Sequence, residues 1–204
     1  MTTVLCIDTA SGPFALALAV DGQVVATSVQ DAPRDHSKAL LPAIKELLHG
    51  RPSLDGIAVV KGPGSYAGLR VGIATAEGLA LAHGIPLRGI ATLLAVKAAS
   101  GLDDVTAIHP AGRGEFAAQT FTNGEQGGPA EAHKAGDLAG LHLAGEGAGA
   151  LGGMEIGPAE RCRAALAGLL PAFAEGSSES IDAVYLREPN ITLPRRSGQP
   201  LLAR

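Results

Sequence analysis

The sequence predicts an α/β protein of two lobes, with mixed sheets flanked by helices. Three observations carry that prediction. The chain opens as strand, loop, strand, Asp21-Gly22 turn, strand. It then alternates short apolar runs with segments long enough for helices. After Asp103-Asp104 a second set of strands begins, so both halves start with strands and add helices. This divides the chain into an N-terminal lobe at 1–104, a smaller C-terminal lobe at 105–190 and a tail at 191–204.

Taken in order, 4–7 reads as a buried strand ending at Asp8-Thr9, followed by strands at 14–20 and 23–28. In the segment 37–49, Leu40, Leu41, Ile44, Leu47 and Leu48 recur with the period of an amphipathic helix. Pro42 should bend that helix or sit near its first turn. The run 54–60 returns to the sheet. The stretch 62–84 organises the rest of the lobe: Gly62-Pro63-Gly64 forms a tight loop, Ser65 is a good N-cap, and a helix spans 66–82 with Gly84 closing it. Residues 85–90 are a strand and 91–100 a helix ending at Gly101. In the second half, strands are expected at 105–108 and 115–121, with a turn at Asn123-Gly124. The Gly- and Ala-rich stretch 124–153 offers one further strand, at 141–144. Cys162, Leu166, Leu169, Leu170 and Phe173 then recur at helical spacing over 159–175. Pro189, Pro194 and Pro200 break any long element beyond, and Arg195, Arg196 and Arg204 make the tail basic.

The helix at 66–82 carries three interior glycines, Gly68, Gly72 and Gly78. Each costs roughly 1 kcal/mol of helix propensity against alanine. Gly68, Gly72, Ala76 and Ala80 fall four apart, in one drifting row. A bare row of this kind either packs closely on its own sheet or seats a partner helix.

Composition narrows the function classes. Of 204 residues, 46% are hydrophobic and 18% charged, enough to pack a core. Aromatics are 3% with no Trp, which argues against base stacking on aromatic platforms. A net charge of −4 makes a poor stand-alone nucleic-acid binder. Cys6 and Cys162 show no pairing pattern, which fits a reduced, cytoplasmic setting. The first ten residues lack a basic region ahead of the apolar run, and no run is long enough to span a membrane.

No complete catalytic set emerges. Gly62-Pro63-Gly64-Ser65-Tyr66-Ala67 fits a loose dinucleotide fingerprint, but Pro63 removes a donor and 85–92 contains no acid. No Gly-Lys-Ser/Thr follows the loop, and no Gly-x-Ser-x-Gly elbow is present. No two of His36, His49, His83, His109, His133 and His142 lie three to five residues apart, so no metal site is expected. His36 beside Asp35 is half a metal site or a polar group at a helix start. Asp8 with Thr9 ends the first strand, the placement used for the acid of actin- and sugar-kinase-type nucleotide folds; a solvent-facing strand end is the simpler reading.

The run from Gly62 to Gly72, GPGSYAGLRVG, resembles the GPGS(F/Y)TGLR(I/V)G signature of the TsaB/YeaZ family, with Ala67 where Thr is usual. Further matches are Ile7-Asp8-Thr9-Ala10, Arg34-Asp35-His36-Ser37 with Leu41-Pro42, Gly89-Ile90-Ala91-Thr92-Leu93, Arg113-Gly114-Glu115-Phe116 and Val184-Tyr185-Leu186-Arg187. The resemblance implies a two-lobed actin/sugar-kinase-like (ASKHA) fold. It implies a non-catalytic subunit for threonylcarbamoyl transfer to N6 of adenosine 37 in ANN-reading tRNAs. Its partners would be the catalytic paralogue TsaD, the ATPase TsaE and, through the complex, tRNA. The chain alone would bind no cofactor, while the complex would use ATP and Mg. In the family the docking surface is a bundle of two helices, here 37–49 and 66–82. Leu40, Leu41, Ile44, Leu48, Gly68, Leu69, Gly72 and Ala76 would make the contact, with Gly62, Gly64 and Ser65 shaping the loop and cap. The same face implies a homodimer in isolation. The paralogue's metal-binding HxExH is represented here only by the single histidine of Arg34-Asp35-His36-Ser37-Lys38. Pro110-Ala111-Gly112 replaces the Asp-Ala-Arg common in relatives, which weakens nucleotide binding by this chain and leaves Asp8 and Thr9 as a vestigial site. Alternatives are an ATP-using phosphotransferase or hydrolase with Asp8 holding Mg²⁺, and a metallopeptidase.

Overall fold

The computed structural model describes residues 2–32, 35–51, 53–173 and 178–186. The tail at 191–204 with its arginines and prolines, Pro189, Arg34 and Arg187 lie outside the described residues.

The first sheet is built from β1 (Thr3–Asp8), β2 (Pro13–Val20), β3 (Gln23–Asp31), β4 (Gly56–Val60) and β5 (Leu87–Ile90). Its spatial order is β3-β2-β1-β4-β5. The β1–β2 and β2–β3 pairs are antiparallel; β1–β4 and β4–β5 are parallel. The antiparallel half follows from the predicted turn, where Asp21 and Gly22 both take positive φ (48° and 80°), the geometry of a two-residue hairpin. The parallel half requires helical crossovers. These are α1 (His36–Leu47) between β3 and β4, and α2 (Tyr66–His83) between β4 and β5. Pro42 sits inside α1.

β1, β2 and β4 are apolar on both faces because both faces are covered. Leu5, Ile7, Leu16, Leu18, Ile57 and Val59 pack towards α1 and α2, with Leu40, Ile44, Ile73 and Ala76. Their alternate neighbours Val4, Cys6, Ala15, Ala17, Ala58 and Val60 pack on the opposite face. That face is covered by α4 (Pro158–Phe173) through Cys162, Ala165, Leu166 and Phe173. The helix that follows the second sheet in the chain therefore returns to the first. Among the described residues, α4 thus packs on β1, β2 and β4 of the first sheet.

The second sheet follows α3 (Thr92–Ser100). Its strands are β6 (Val105–Gly112), β7 (Glu115–Thr122), β8 (Glu125–Gln126), β9 (Glu131–Lys134), β10 (Leu143–Gly145) and β11 (Met154–Glu155). The order is β11-β10-β6-β7-β8, with β9 also on β7. β6–β7 is antiparallel, and β10 runs parallel to both β6 and β11. The stretch 124–153 thus holds more structure than its composition signals: short strands and two 3₁₀ turns. The expected strand at 141–144 begins later, at Leu143. Beyond α4, residues 178–186 lie along the outer edge of β5. The Glu179 N–H donates to Leu87 O at 3.1 Å, the Leu87 N–H to Ser178 Oγ at 3.1 Å, and the Val184 N–H to Lys61 O at 2.7 Å. An otherwise open strand edge is thereby capped. The mixed α/β class, two sheets flanked by helices, is the one the sequence predicts.

Candidate functional site

Asp8 ends β1 with its carboxylate fully buried. The loop behind it, residues 9–12, lies between the two sheets and meets three segments from far along the chain. Arg161 enters from α4, on the same apolar face as Cys162, Ala165 and Leu166, and is itself fully buried. Its Nε donates to Asp8 Oδ2 at 2.7 Å, its Nη2 to Ser11 Oγ at 2.7 Å and its Nη1 to Glu146 Oε2 at 3.2 Å. The Ser11 hydroxyl in turn donates to the Glu146 carboxylate. The other Asp8 oxygen accepts the Ala10 N–H at 3.0 Å. Burial works against the Arg161 charge, but Asp8 and then Glu146 outweigh it and hold its pKa above the ordinary arginine value.

His109, at the end of the apolar part of β6, completes the cluster. Its Nε2–H donates to Ala10 O at 3.2 Å, so Nδ1 is the acceptor for Arg161 Nη1 at 3.3 Å. Desolvation and then the Arg161 charge push its pKa from 6.5 down to about 3, so the ring is neutral. A Mg–nucleotide held through Asp8, as the fold class would place it, needs a free carboxylate. Both Asp8 oxygens are engaged by the chain itself, and the residues present do not fit that group. Among the described residues no three His, Cys, Asp or Glu side chains converge to hold a metal ion.

Thr9 does not face this cluster. Its backbone oxygen and hydroxyl lie where Cβ atoms on Gly68 and Gly72 would stand. The close approach implied by the glycine row is therefore made inside the lobe, to the loop after β1. This corrects the expected docking set. Leu40, Ile44, Gly68, Leu69, Gly72 and Ala76 are buried against their own sheet or loop and present nothing to a partner. Leu48 is half-buried, and Leu41 is 53% exposed. His36 is buried as well, with its ring Nε2 2.6 Å from Gly12 O and its edge against Phe14. Asp35 beside it pairs with Lys38 at 3.2 Å.

The loop between β4 and α2 forms as the residues dictate. Ser65 Oγ accepts the Gly68 N–H at 3.2 Å, and Gly84 closes the helix in the left-handed conformation (φ 64°). Gly62 takes φ 105°, and a Cβ there would strike the Val184 carbonyl. Gly64 packs on Ala10, and the Ser65 N–H donates to Ala10 O at 2.7 Å. Tyr66 stacks at a tilt on Tyr185, 4.9 Å between centroids, and Arg70 lies over the Tyr66 ring. With Pro110, Ala111 and Gly112 of β6, this loop lines a recess of about 330 Å³.

A second recess, of about 380 Å³, lies on the outer side of the helices between Leu41 of α1 and Ala74, Thr75, Gly78 and Leu79 of α2. It is almost wholly apolar. A Cβ on Gly78 would meet nothing within 4 Å, unlike one on Gly68 or Gly72. Leu81, at 86% exposure, extends the apolar surface at the end of α2.

Sequence reasoning flagged Asp8 but missed Ser11, Glu146 and Arg161, and named His109 only among histidines whose spacing forms no metal pair. One signal for Arg161 was legible: a charge inside the otherwise apolar face of a helix must be paired if that face is buried. Its partners, up to 153 residues away in sequence, had none.

The family model described as TsaD: tRNA N6-adenosine threonylcarbamoyltransferase matches residues 24–148. The tRNA threonylcarbamoyladenosine biosynthesis protein TsaB of Escherichia coli (strain K12) is 37% identical over 95 residues, covering 45% of this chain and 41% of that protein. The protein of the same name from Bacillus subtilis (strain 168) is 35% identical over 95 residues, covering 45% and 42%. These matches span less than half the length of those curated relatives. In three dimensions, YeaZ from Pseudomonas aeruginosa superposes with a TM-score of 0.72 at 26% identity, over 91% of this chain and 100% of that one.

Proposed function

The chain belongs to the TsaD family, tRNA N6-adenosine threonylcarbamoyltransferase, with TsaB/YeaZ proteins among its relatives, and from that premise we propose that it serves tRNA threonylcarbamoyladenosine biosynthesis as a non-catalytic docking subunit. It binds a TsaD-like catalytic paralogue, which transfers the threonylcarbamoyl group to N6 of adenosine 37 in ANN-reading tRNAs. A TsaE-like ATPase works alongside, ATP and Mg belong to the assembly, and this chain contributes no cofactor of its own. In isolation two copies pair through the same surface, in the cytoplasm.

The observation that carries the docking reading is Gly78. Its propensity penalty, roughly 1 kcal/mol against alanine, is offset by no close contact among the described residues. It stands in an apolar recess beside the exposed Leu41. A bare glycine with apolar neighbours lets a second helix approach closely, and the TsaD-like paralogue is the occupant that family membership favours. The buried state of Asp8 supports a non-catalytic role.

The test is capture of the purified paralogue by the full chain. Leu41→Asp and Gly78→Leu should each abolish capture without lowering the melting temperature by more than about 2 °C, because Leu41 is largely exposed and a Cβ at Gly78 meets no neighbour among the described residues. Capture unchanged by both sinks the reading. Gly72→Leu is the wrong probe: it would collide with Thr9 and damage the lobe itself.

A further inference from the structure

We propose that the recess between the β4–α2 loop and the end of β6 takes one unpaired base of single-stranded RNA, stacked on the Tyr66–Tyr185 pair with its phosphate at Arg70. The sequence has two tyrosines and no Trp, too few for an extended stacking platform. The fold brings both to one place, with ring centroids 4.9 Å apart in the wall of the recess. They are 40% and 38% exposed, so ring surface remains for a third aromatic plane. The recess, about 330 Å³, is of ligand-site size, and its other walls are slim: Pro63, Gly64, Pro110 and Ala111. Such walls suit a base held by its face, which every base has, and not by its edges. Arg70 lies 5.5 Å over the Tyr66 ring and donates to the Tyr66 hydroxyl at 3.0 Å. A guanidinium carries five N–H donors, and this bond uses one. Arg113 stands exposed in the turn after Gly112, and Lys134 shares a face of β9 with Ala132, which lines the recess. Glu131 and His133 alternate to the opposite face and line a different recess. Glu115, opposite Lys134 in the register, is the acid on this side. Arg70, Arg113 and Lys134 against Glu115 give this rim a basic balance, whereas the whole chain carries −4. A proline-rich peptide would use the rings and leave the cations idle, so RNA is the occupant the charges favour.

The choice of RNA as the polymer rests also on the tRNA reading above; the stacking recess does not, and neither Leu41 nor Gly78 lines it. Because the chain has no Trp and both tyrosines sit here, its tyrosine emission reports from this recess alone. The full chain, without the paralogue, is titrated at low ionic strength with a short single-stranded oligoadenylate. Binding is followed by tyrosine quenching, corrected for absorption, and by anisotropy of labelled RNA. Wild type should show saturable quenching. Duplex RNA of the same length, whose bases are already paired, and AMP, which brings one phosphate, should each bind at least about tenfold more weakly. Tyr185→Ala should weaken binding at least about fivefold, and Tyr185→Phe should restore it. Arg70→Gln should flatten the dependence of log affinity on log salt by about 0.7, the loss of one phosphate contact. If Tyr185→Ala does not fold, Ala111→Leu, which narrows the recess from an exposed position, must weaken binding instead. Since no paralogue is present, a failed titration and a failed capture are told apart. The proposal is overturned by single-stranded RNA that neither binds nor quenches, by duplex or AMP binding as tightly as the single strand, by a folded Tyr185→Ala that binds like wild type, or by a proline-rich peptide that quenches where RNA does not.

Discussion

Lowering the pH from 7 to 5 should weaken the fold through one residue, His109. The ring is buried, its Nε2 proton is used by Ala10 O, and its Nδ1 accepts from Arg161. A second proton must land on Nδ1, facing the guanidinium at 3.3 Å. The hydrogen bond to Ala10 O and then the Asp8 charge oppose that penalty only in part. The folded-state pKa is accordingly about 3 against 6.5. Because the folded value is depressed, the unfolded chain takes up the proton first as pH falls through 6.5, while the native chain resists down to about 3. Stability is therefore full above 6.5 and drains as pH falls through that window. At pH 5 the unfolded state has gained about 1.5 pH units of binding, worth about 2 kcal/mol at 1.36 kcal/mol per unit. Urea midpoints at pH 7 and pH 5 measure the loss, with His109→Gln as reference because its amide can meet Ala10 O but does not titrate. Wild type should lose about 2 kcal/mol more than His109→Gln over this range. Equal losses in the two proteins would refute the buried neutral imidazole.

Two alanine substitutions in α2 should have opposite signs. Gly72→Ala forces a methyl into the Thr9 hydroxyl and should destabilise by about 1–3 kcal/mol in urea melts. Gly78→Ala meets open space and should stabilise the isolated chain by up to about 1 kcal/mol. Ser65→Ala removes the acceptor for the Gly68 N–H and should cost about 1 kcal/mol, read by the same melts.

The N-terminal sheet was readable because its signals are local. Asp21-Gly22 sets a hairpin, Ser65 and Gly84 bracket α2, and unbroken apolar runs mark strands covered on both sides. The stretch 124–153 was not, since its strands of two to four residues are too short to show a period and are held by pairing with β6 and β7. The glycine row illustrates a different limit. Spacing establishes that α2 has a bare stripe, but whether Gly72 meets Thr9 or a foreign helix depends on how α2 is rotated about its axis. The same rotation turns Gly78 outward. Periodicity at 3.6 residues per turn defines stripes without saying which one faces the sheet when both are poor in bulk. The charge cluster was illegible for a third reason: Asp8 and Arg161 are neighbours only after the chain has passed through both sheets.

The return of α4 to the first sheet has a consequence for biosynthesis. Strands emerging early from the ribosome have one greasy side, with Val4, Cys6, Ala15, Ala17 and Val60, that stays wet until Phe173 has been synthesised. Severing the polypeptide after Asp104 would yield a half-clothed sheet prone to clumping, not a self-sufficient piece. Supplied separately, residues 105–204 should rescue it, as two halves of a split reporter rescue each other.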